Sequence, residues 1–120
     1  MKTLLIVDDQ PMYLNSLAVS LKKKFNILVA QNYQAALEQF QNQVELVLID
    51  IRLDENDEKN SDGLKILEWI KMNKPETSSF VMSAYKEFSY AEQALNLGAK
   101  HFFKKPIDIL GLIAILQEKG

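Results

Sequence analysis

Short apolar segments of this 120-residue chain end on residues that can do chemistry. They comprise three carboxylates, one hydroxyl and a pair of ammonium groups: Asp8, Asp9, Asp50, Ser83, Lys104 and Lys105. Three carboxylates within a few ångströms of one another repel, and a cation or protons must offset that repulsion. Hard oxygen ligands in an open site suit Mg²⁺ or Mn²⁺, which keep water ligands and bridge to phosphate oxygens. One carboxylate can also attack a phosphoryl group as a nucleophile.

Each of these residues has an ordinary structural interpretation when it is taken alone. An aspartate after a strand commonly caps a helix or lies in a solvated turn, and a lysine is commonly a surface residue. The set indicates function only if one fold brings its members together. It then predicts phosphoryl transfer, which is catalysed mainly by positioning and charge neutralisation.

The elements that would position these groups alternate along the chain. Aliphatic or aromatic runs predict five strands, at residues 3–7, 25–30, 46–49, 79–82 and 101–103. Apolar residues at helical spacing follow each strand. This alternation predicts an α/β fold, a doubly wound five-stranded parallel sheet of order 2-1-3-4-5 with five helices on its two faces. Ligands bind such sheets at the carboxyl ends of the strands, where the polar set lies.

Local signals predict where several helices begin and end. Pro11 suits the first position of the helix after the first strand. Asn32 and Ser61 are candidate N-caps of the second and third helices. The third helix must stop before Pro75, and Gly98 suits a left-handed residue directly after the fourth helix.

Composition bounds the class of protein. The net charge is −2, apolar residues make up 48% of the chain, and there is no cysteine. These values exclude a disulfide framework and thiolate metal sites, and they provide no basic footprint for nucleic acid. No apolar run approaches the ~18 residues that a membrane span requires. We therefore predict one cytoplasmic domain, residues 1–120, that binds neither nucleic acid directly nor a membrane.

At these residues the sequence resembles the receiver domain of two-component response regulators, from Leu4 to about Leu116. The matching strings are Leu5-Ile6-Val7-Asp8-Asp9, Leu48-Ile49-Asp50, Asp62-Gly63, Val81-Met82-Ser83-Ala84-Tyr85, Leu97-Gly98-Ala99 and Phe102-Phe103-Lys104-Lys105-Pro106. The resemblance implies a flavodoxin-like fold and a role in signal transduction.

The resemblance implies a role for each member of the acidic group. Asp50 is implied as the phosphoacceptor, Asp9 as a direct ligand of Mg²⁺, and Asp8 as a ligand that binds directly or through water. The backbone carbonyl of Arg52 would complete the protein's share of the metal coordination. Arg52 and Tyr85 would flank the phosphoryl group and tune its lifetime.

The resemblance also implies how the site would switch. Lys105, next to Pro106, would pair with the phosphoryl group. Ser83 would be the hydroxyl that moves toward the phosphate, and the small Ala84 would leave room for it. Phe102 would be the aromatic side chain that changes rotamer with Ser83, although core packing in the fifth strand is an equal alternative.

The sequence departs from the family pattern after the phosphoacceptor, because the Asp-Gly pair at 62–63 arrives about five residues late. Residues 54–58 are mostly acidic, which predicts a solvated loop or, alternatively, a contact with a partner or a further cation. An EF-hand loop that starts at Asp54 is excluded. Its sixth position holds Lys59 in place of glycine, and its twelfth holds Lys65 in place of glutamate.

The last helix is apolar around most of its circumference. Between Ile107 and Leu116 only Asp108 and Gly111 are not apolar. A terminal helix on a doubly wound sheet can bury only one face, so part of this surface should be exposed. We predict a homodimer or an output partner at this surface.

The leading hypothesis is a phosphorylation-activated switch, a signalling phosphoacceptor that promotes only its own phosphorylation and dephosphorylation. A histidine kinase or phosphotransfer protein would donate the phosphoryl group to Asp50 with Mg²⁺ present. The surface of the fourth helix, fifth strand and fifth helix would then change and be read by a partner. The chain would be either a stand-alone receiver or the receiver part of a longer regulator.

Three alternatives compete with the switch. A Mg²⁺-dependent phosphohydrolase would need a general acid where Arg52 stands. A flavin-binding module would need a hydroxyl- and glycine-rich loop after the first strand, where Asp8, Asp9 and Gln10 would repel a phosphate. A receiver-like domain that is never phosphorylated usually lacks one of the key residues, and none is missing here.

Overall fold

A computed structural model of the protein describes residues 1–54, 60–84 and 88–120. The strands are β1 (Thr3–Val7), β2 (Asn26–Ala30), β3 (Leu46–Asp50), β4 (Ser78–Ser83) and β5 (Phe102–Lys104). The helices are α1 (Pro11–Leu21), α2 (Tyr33–Gln39), α3 (Asp62–Asn73), α4 (Phe88–Asn96) and α5 (Ile109–Lys119). All strand pairs are parallel, and the order is β2-β1-β3-β4-β5, which confirms the predicted topology.

The sheet buries apolar side chains on both of its faces. In β1, Leu5 and Val7 join a cluster with residues of α2 and α3, whereas Leu4 and Ile6 join a cluster with residues of α1 and α5. All four side chains are buried completely. Burial on both faces explains why the run reads as continuously apolar and not as alternating.

The strand register sets which residues meet at the carboxyl edge. Asp50 lies opposite Met82, and Ser83 lies opposite Lys104. Asp8, the residue after β1, donates its backbone N–H to the carbonyl oxygen of Ala30 at the end of β2. The polar residues at the ends of four strands, or directly after them, therefore lie along one edge.

Most of the predicted helix signals are confirmed. Pro11 is the first residue of α1, and the Asn32 side chain accepts a hydrogen bond from the backbone N–H of Ala35 at 2.8 Å. Gly98 has a φ of +95°, the left-handed conformation predicted after α4. α3 ends at Asn73, two residues before Pro75.

The prediction for the N-cap of α3 is only partly correct. Ser61 stands at the N-cap position, but its side chain makes no capping hydrogen bond within the described residues. Asn60 provides the oxygen instead, because its side chain accepts the backbone N–H groups of Leu53 at 3.1 Å and Asp62 at 3.0 Å. Asn60 thus joins the chain before the acidic insertion to the start of α3.

Two strands are shorter at their start than the apolar pattern predicts. Phe25 is buried, but its backbone N–H bonds to Leu21 in the turn after α1, so it precedes β2. His101 precedes β5, and its ring packs at a tilt against that of Phe103, with ring centroids 4.6 Å apart. In both cases the packing of the side chain does not by itself show that the residue pairs in the sheet.

The last helix buries one face, as predicted. Leu112 and Leu116 pack in the core, the isoleucines of the helix are half-buried, and Leu110 is 79% exposed. The Asp108 side chain accepts the backbone N–H of Gly111 at 3.2 Å and so caps the helix. In the described part of the chain, no helix has the length and apolar character needed to cross a bilayer.

Candidate functional site

The ammonium group of Lys105 joins two buried carboxylates at the carboxyl edge of the sheet. Its Nζ lies 2.6 Å from Oδ2 of Asp8 and 2.9 Å from Oδ2 of Asp50. The side chains are 9%, 0% and 6% exposed for Lys105, Asp8 and Asp50, so water screens these ion pairs little. Charge-assisted hydrogen bonds of this kind are strong and fix the lysine between the two acids.

Backbone groups hold the other oxygens of the same carboxylates. Oδ1 of Asp8 accepts the N–H of Gln10 at 2.9 Å, and Oδ1 of Asp50 accepts the N–H of Arg52 at 3.1 Å. Each bond spans two residues in the turn directly after a strand. The turns after β1 and β3 therefore orient both side chains toward the same space.

Asp9 adds a third carboxylate to this edge. Asp8, Asp9 and Asp50 each offer one oxygen, and these three oxygens lie within 4.8 Å of one another. Three carboxylate oxygens at this spacing are the donor set that a hard divalent cation such as Mg²⁺ or Mn²⁺ uses. The chemistry of the residues therefore fits the predicted cation.

The environment of Asp50 raises its pKa to about 6. Burial is the largest cause, since it penalises the charged carboxylate, and the neighbouring charge of Asp8 adds to it. The charge and hydrogen bond of Lys105, together with the N–H of Arg52, lower the pKa but do not cancel the effect of burial. Ionisation of Asp50 is therefore less favourable than that of a solvent-exposed aspartate.

The pKa of Lys105 also depends on opposing effects of burial and of neighbouring charges. Burial lowers its pKa, but the charge of Asp50 and the hydrogen bonds to Asp8 and Asp50 outweigh burial, so the pKa of Lys105 is raised overall. Lys105 therefore stays protonated and carries the positive charge of the site at neutral pH.

The remaining predicted residues lie around this group at different depths. Ser83 is buried at the end of β4, and its carbonyl oxygen accepts the backbone N–H of Lys105 at 2.9 Å. Ala84 is exposed, Arg52 is buried, and Phe102 is half-buried against the cluster on the α2–α3 face.

Some sequence-based predictions lie outside the described residues. They concern Tyr85 and the insertion residues Glu55, Asp57 and Glu58. Asp54, the first residue of the insertion, is described and exposed.

A surface depression lies at the opposite edge of the sheet, away from the acidic cluster. It has a volume of about 530 Å³, and its lining includes Lys2, Lys74, Glu45 and Glu76. Charges of both signs line this space, so it does not select strongly for an anion or a cation. The acidic edge remains the candidate site.

The family model for the response regulator receiver domain matches residues 4–117. This chain belongs to that family. Its receiver-domain sequence is 34% identical over 117 residues to the transcriptional regulatory protein ZraR of Escherichia coli (strain K12). The match covers 96% of this chain but 25% of ZraR, so the chain spans about a quarter of the length of that relative.

Solved structures share the fold of this receiver domain. A CheY-like receiver domain protein from Methanospirillum hungatei JF-1 superposes with a TM-score of 0.88 at 26% identity, over 99% of this chain and 93% of the other. A response regulator from Burkholderia pseudomallei has a TM-score of 0.85 at 27% identity, over 98% of this chain and 67% of the other. That structure contains a phosphorylated aspartic acid, a calcium ion and citrate.

Gly63 lies against the site in a way that sequence analysis did not predict. Its N–H donates to the carbonyl of Ile51 at 3.0 Å. A Cβ at position 63 would stand 2.3 Å from the carbonyl oxygen of Asp50 and 2.5 Å from Cα of Ile51. The start of α3 can therefore pack on the end of β3 only if this residue has no side chain. The Asp-Gly string was the available signal, but only as a family match.

Tyr13 is a second residue of the receiver domain that sequence analysis missed. The Nζ atom of Lys105 lies 4.4 Å from the centroid of the Tyr13 ring, within the range of a cation–π contact. Tyr13 lies in the first turn of α1, five residues after Asp8. An aromatic residue in the first turn of a helix predicts only that its ring packs against the core. The proximity of Tyr13 to Lys105 depends on the tertiary fold, which the sequence pattern does not specify.

Proposed function

We propose that residues 1–120 act as one receiver domain that is a phosphorylation-activated signalling switch, with Asp50 as the phosphoacceptor. The observation that carries the proposal is the contact of Lys105 Nζ with both Asp8 and Asp50, beside the third carboxylate of Asp9. A buried carboxylate with an adjacent ammonium and a cation-binding oxygen set suits attack on phosphorus.

A histidine kinase or phosphotransfer protein is the proposed donor. In the transfer an oxygen of Asp50 forms a bond to phosphorus as the bond between phosphorus and the donor's histidine nitrogen breaks. Asp50 must be ionised to attack, and with a pKa of about 6 it is largely ionised at neutral pH. Lys105 then offsets negative charge on the transferred group, because it is already in hydrogen-bonding contact with the acceptor.

Asp8, Asp9 and Asp50 are the residues that would hold Mg²⁺ or Mn²⁺, with the backbone carbonyl of Arg52. The ion, when bound, would neutralise charge on the phosphoryl oxygens. The calcium ion and phosphorylated aspartic acid of the Burkholderia pseudomallei regulator support this assignment.

The switch would convert the new charge on Asp50 into a change of surface. Ser83, buried at the end of β4, would move its hydroxyl toward the phosphoryl group, and Ala84 would leave room for it. Phe102 is half-buried and neighbours Val81 across the β4–β5 pair, so it could change rotamer with that movement. Partners would then read the repacked surface of α4, β5 and α5.

An output domain or a second copy of the chain is the proposed reader of that surface. The exposed Leu110 and the half-buried isoleucines of α5 support an apolar contact there, because exposed apolar surface rimmed by polar residues marks interaction sites.

Incubation with acetyl phosphate and Mg²⁺ tests the proposal directly. Intact-mass measurement is expected to detect one added phosphoryl group that is stable in acid and labile in base. Asp50→Asn is expected to abolish the adduct, whereas Asp54→Asn, at a nearby exposed acid, is expected to retain it. Failure of the wild-type protein to form an adduct, or an adduct that survives Asp50→Asn, would refute the switch.

A further inference from the structure

Lys105 is enclosed on a third side by the ring of Tyr13. Asp8 and Asp50 bind its Nζ through their carboxylates at 2.6 and 2.9 Å. The centroid of the Tyr13 ring lies 4.4 Å from the same atom. With these three groups around it, the Lys105 side chain is only 9% exposed.

The phenol group of Tyr13 neighbours the segment that follows Lys105. Burial raises the pKa of this phenol, and the backbone of Ile107, two residues further along the chain, lowers it in part. Tyr13 is half-buried and packs with Ile107 against the cluster on the α1–α5 face. One side chain of α1 thus lies against the charged end of Lys105 and packs on the same cluster as Ile107, in the segment that leads toward α5.

The ring face has a physical effect that an aliphatic side chain in the same place would lack. An ammonium over an aromatic face is attracted by the ring's quadrupole, and the attraction is strongest where water is excluded. Lys105 has four side-chain torsions, so a third contact restricts where its Nζ lies. Reactions that depend on positioning are sensitive to displacements of about 1 Å.

We infer that Tyr13 is a positioning residue of the phosphoryl site, whose ring holds the Lys105 ammonium between Asp8 and Asp50. This inference rests on the proposed function of Asp50 and Lys105, and it adds a residue of α1 to the site. In this role Tyr13 acts on the transfer through Lys105.

The test compares two substitutions of Tyr13 in the full chain. Tyr13→Phe keeps the ring face, and it is expected to change the rate of phosphorylation by acetyl phosphate with Mg²⁺ less than twofold. Tyr13→Leu fills similar space without a ring, and it is expected to slow the reaction roughly 3- to 10-fold. If the leucine variant fails to fold, Tyr13→Met replaces it. Tyr33→Leu is the matched control, since Tyr33 is a half-buried tyrosine in the first turn of α2 on the opposite face of the sheet.

A spectroscopic measurement tests the position of Lys105 without any phosphorylation. Protons over an aromatic face are shielded, so the methylene protons next to Nζ of Lys105 should resonate upfield of the other lysines in the proton NMR spectrum. The upfield shift is expected in the wild-type, Tyr13→Phe and Tyr33→Leu proteins and is expected to disappear in Tyr13→Leu.

The two measurements separate the inference from the proposed function. If the wild-type protein forms no adduct, the proposed function fails, and the positioning role of Tyr13 fails with it. In that case the upfield shift still reports whether the Tyr13 ring contacts Lys105. If the adduct forms, an unchanged rate in Tyr13→Leu overturns the positioning role, and so does an unshifted Lys105 signal in the wild-type protein. Slow phosphorylation of Tyr13→Leu, with rate and shift both retained in Tyr13→Phe, supports it.

Discussion

Lys105 Nζ lies 2.6 Å from Oδ2 of Asp8, a residue 97 positions earlier in the chain. The contact joins the turn after β1 to the loop after β5, across the β3 and β4 strands that lie between them in the sheet. Both side chains are nearly inaccessible to water. A buried ion pair at the candidate site therefore joins the segments that follow β1 and β5.

Removal of the Lys105 ammonium is expected to destabilise the domain. Lys105→Met leaves two buried carboxylates without the cation that offsets their charge, at a cost of about 3 kcal/mol in the free energy of unfolding. Urea denaturation at neutral pH without divalent ions measures the effect. Lys104→Met is the matched control, because Lys104 is exposed, and we expect a change within ~0.5 kcal/mol. Equal stability of the two variants would contradict the importance of the buried pair.

Removal of the Asp50 carboxylate is expected to stabilise the domain at neutral pH, unlike removal of the Lys105 ammonium. Its pKa in the folded protein is about 6, above the ordinary 3.8, so the folded state binds this proton more tightly than the unfolded state does. The contribution of Asp50 to stability is therefore present below pH ~4 and is lost as the pH rises to ~6. At pH 7.5 without divalent ions, Asp50→Asn is expected to raise the free energy of unfolding by roughly 1–3 kcal/mol.

Urea denaturation between pH ~3.5 and pH ~7.5 checks this sign. The difference in free energy of unfolding between the wild-type protein and Asp50→Asn should grow between pH ~4 and pH ~6 and stay constant above pH ~6. Asp54→Asn, an exposed acid four residues later, should follow the wild-type curve. A variant Asp50→Asn that is less stable than wild type at neutral pH would show that the ion pair with Lys105 outweighs the cost of burial.

The convergence of the site could be predicted from the sequence because it depends on topology alone. Parallel strands end at one edge, so residues at the carboxyl ends of β1, β3, β4 and β5, or directly after them, meet there whatever paths the loops take. Asp8, Asp50 and Lys105 are brought together in this way. The contacts that were missed depend on loop paths. Tyr13 meets Lys105 because the fold brings the first turn of α1 beside the residue that follows β5.

The N-cap of α3 illustrates the same limit at shorter range. Ser61 and Asn60 are adjacent, and both have side chains suited to capping. Asn60 accepts two backbone N–H groups, one from Leu53 before the insertion and one from Asp62 after it. Only the return path of the chain decides which neighbour is used, and a sequence pattern does not contain that path.

Gly63 is expected to tolerate no side chain. A Cβ there would lie 2.3 Å from the backbone oxygen of Asp50, and backbone atoms cannot rotate away as a side chain can. Gly63→Ala should therefore lower the free energy of unfolding by more than about 3 kcal/mol and displace the end of β3. Gly98→Ala is the contrasting control. Its left-handed φ of +95° carries a conformational cost of about 1 kcal/mol, but nothing lies within 4 Å of the added Cβ. Thermal unfolding followed by circular dichroism ranks the two, and a smaller effect at Gly63 would contradict the close packing.

Binding of Mg²⁺ is expected to stabilise the folded domain through the three carboxylates. At a concentration 100 times the dissociation constant, the added free energy of unfolding is about 2.7 kcal/mol. Asp9→Asn removes one oxygen of the set Asp8, Asp9 and Asp50, and it should shift the Mg²⁺ titration of thermal stability to higher concentration. Asp54→Asn distinguishes this site from a cation contact in the insertion, since it should leave the titration unchanged. A Mg²⁺ effect that depends on Asp54 and not on Asp9 would move the ion to the insertion, and the carboxylates at the strand ends would then serve Lys105 alone.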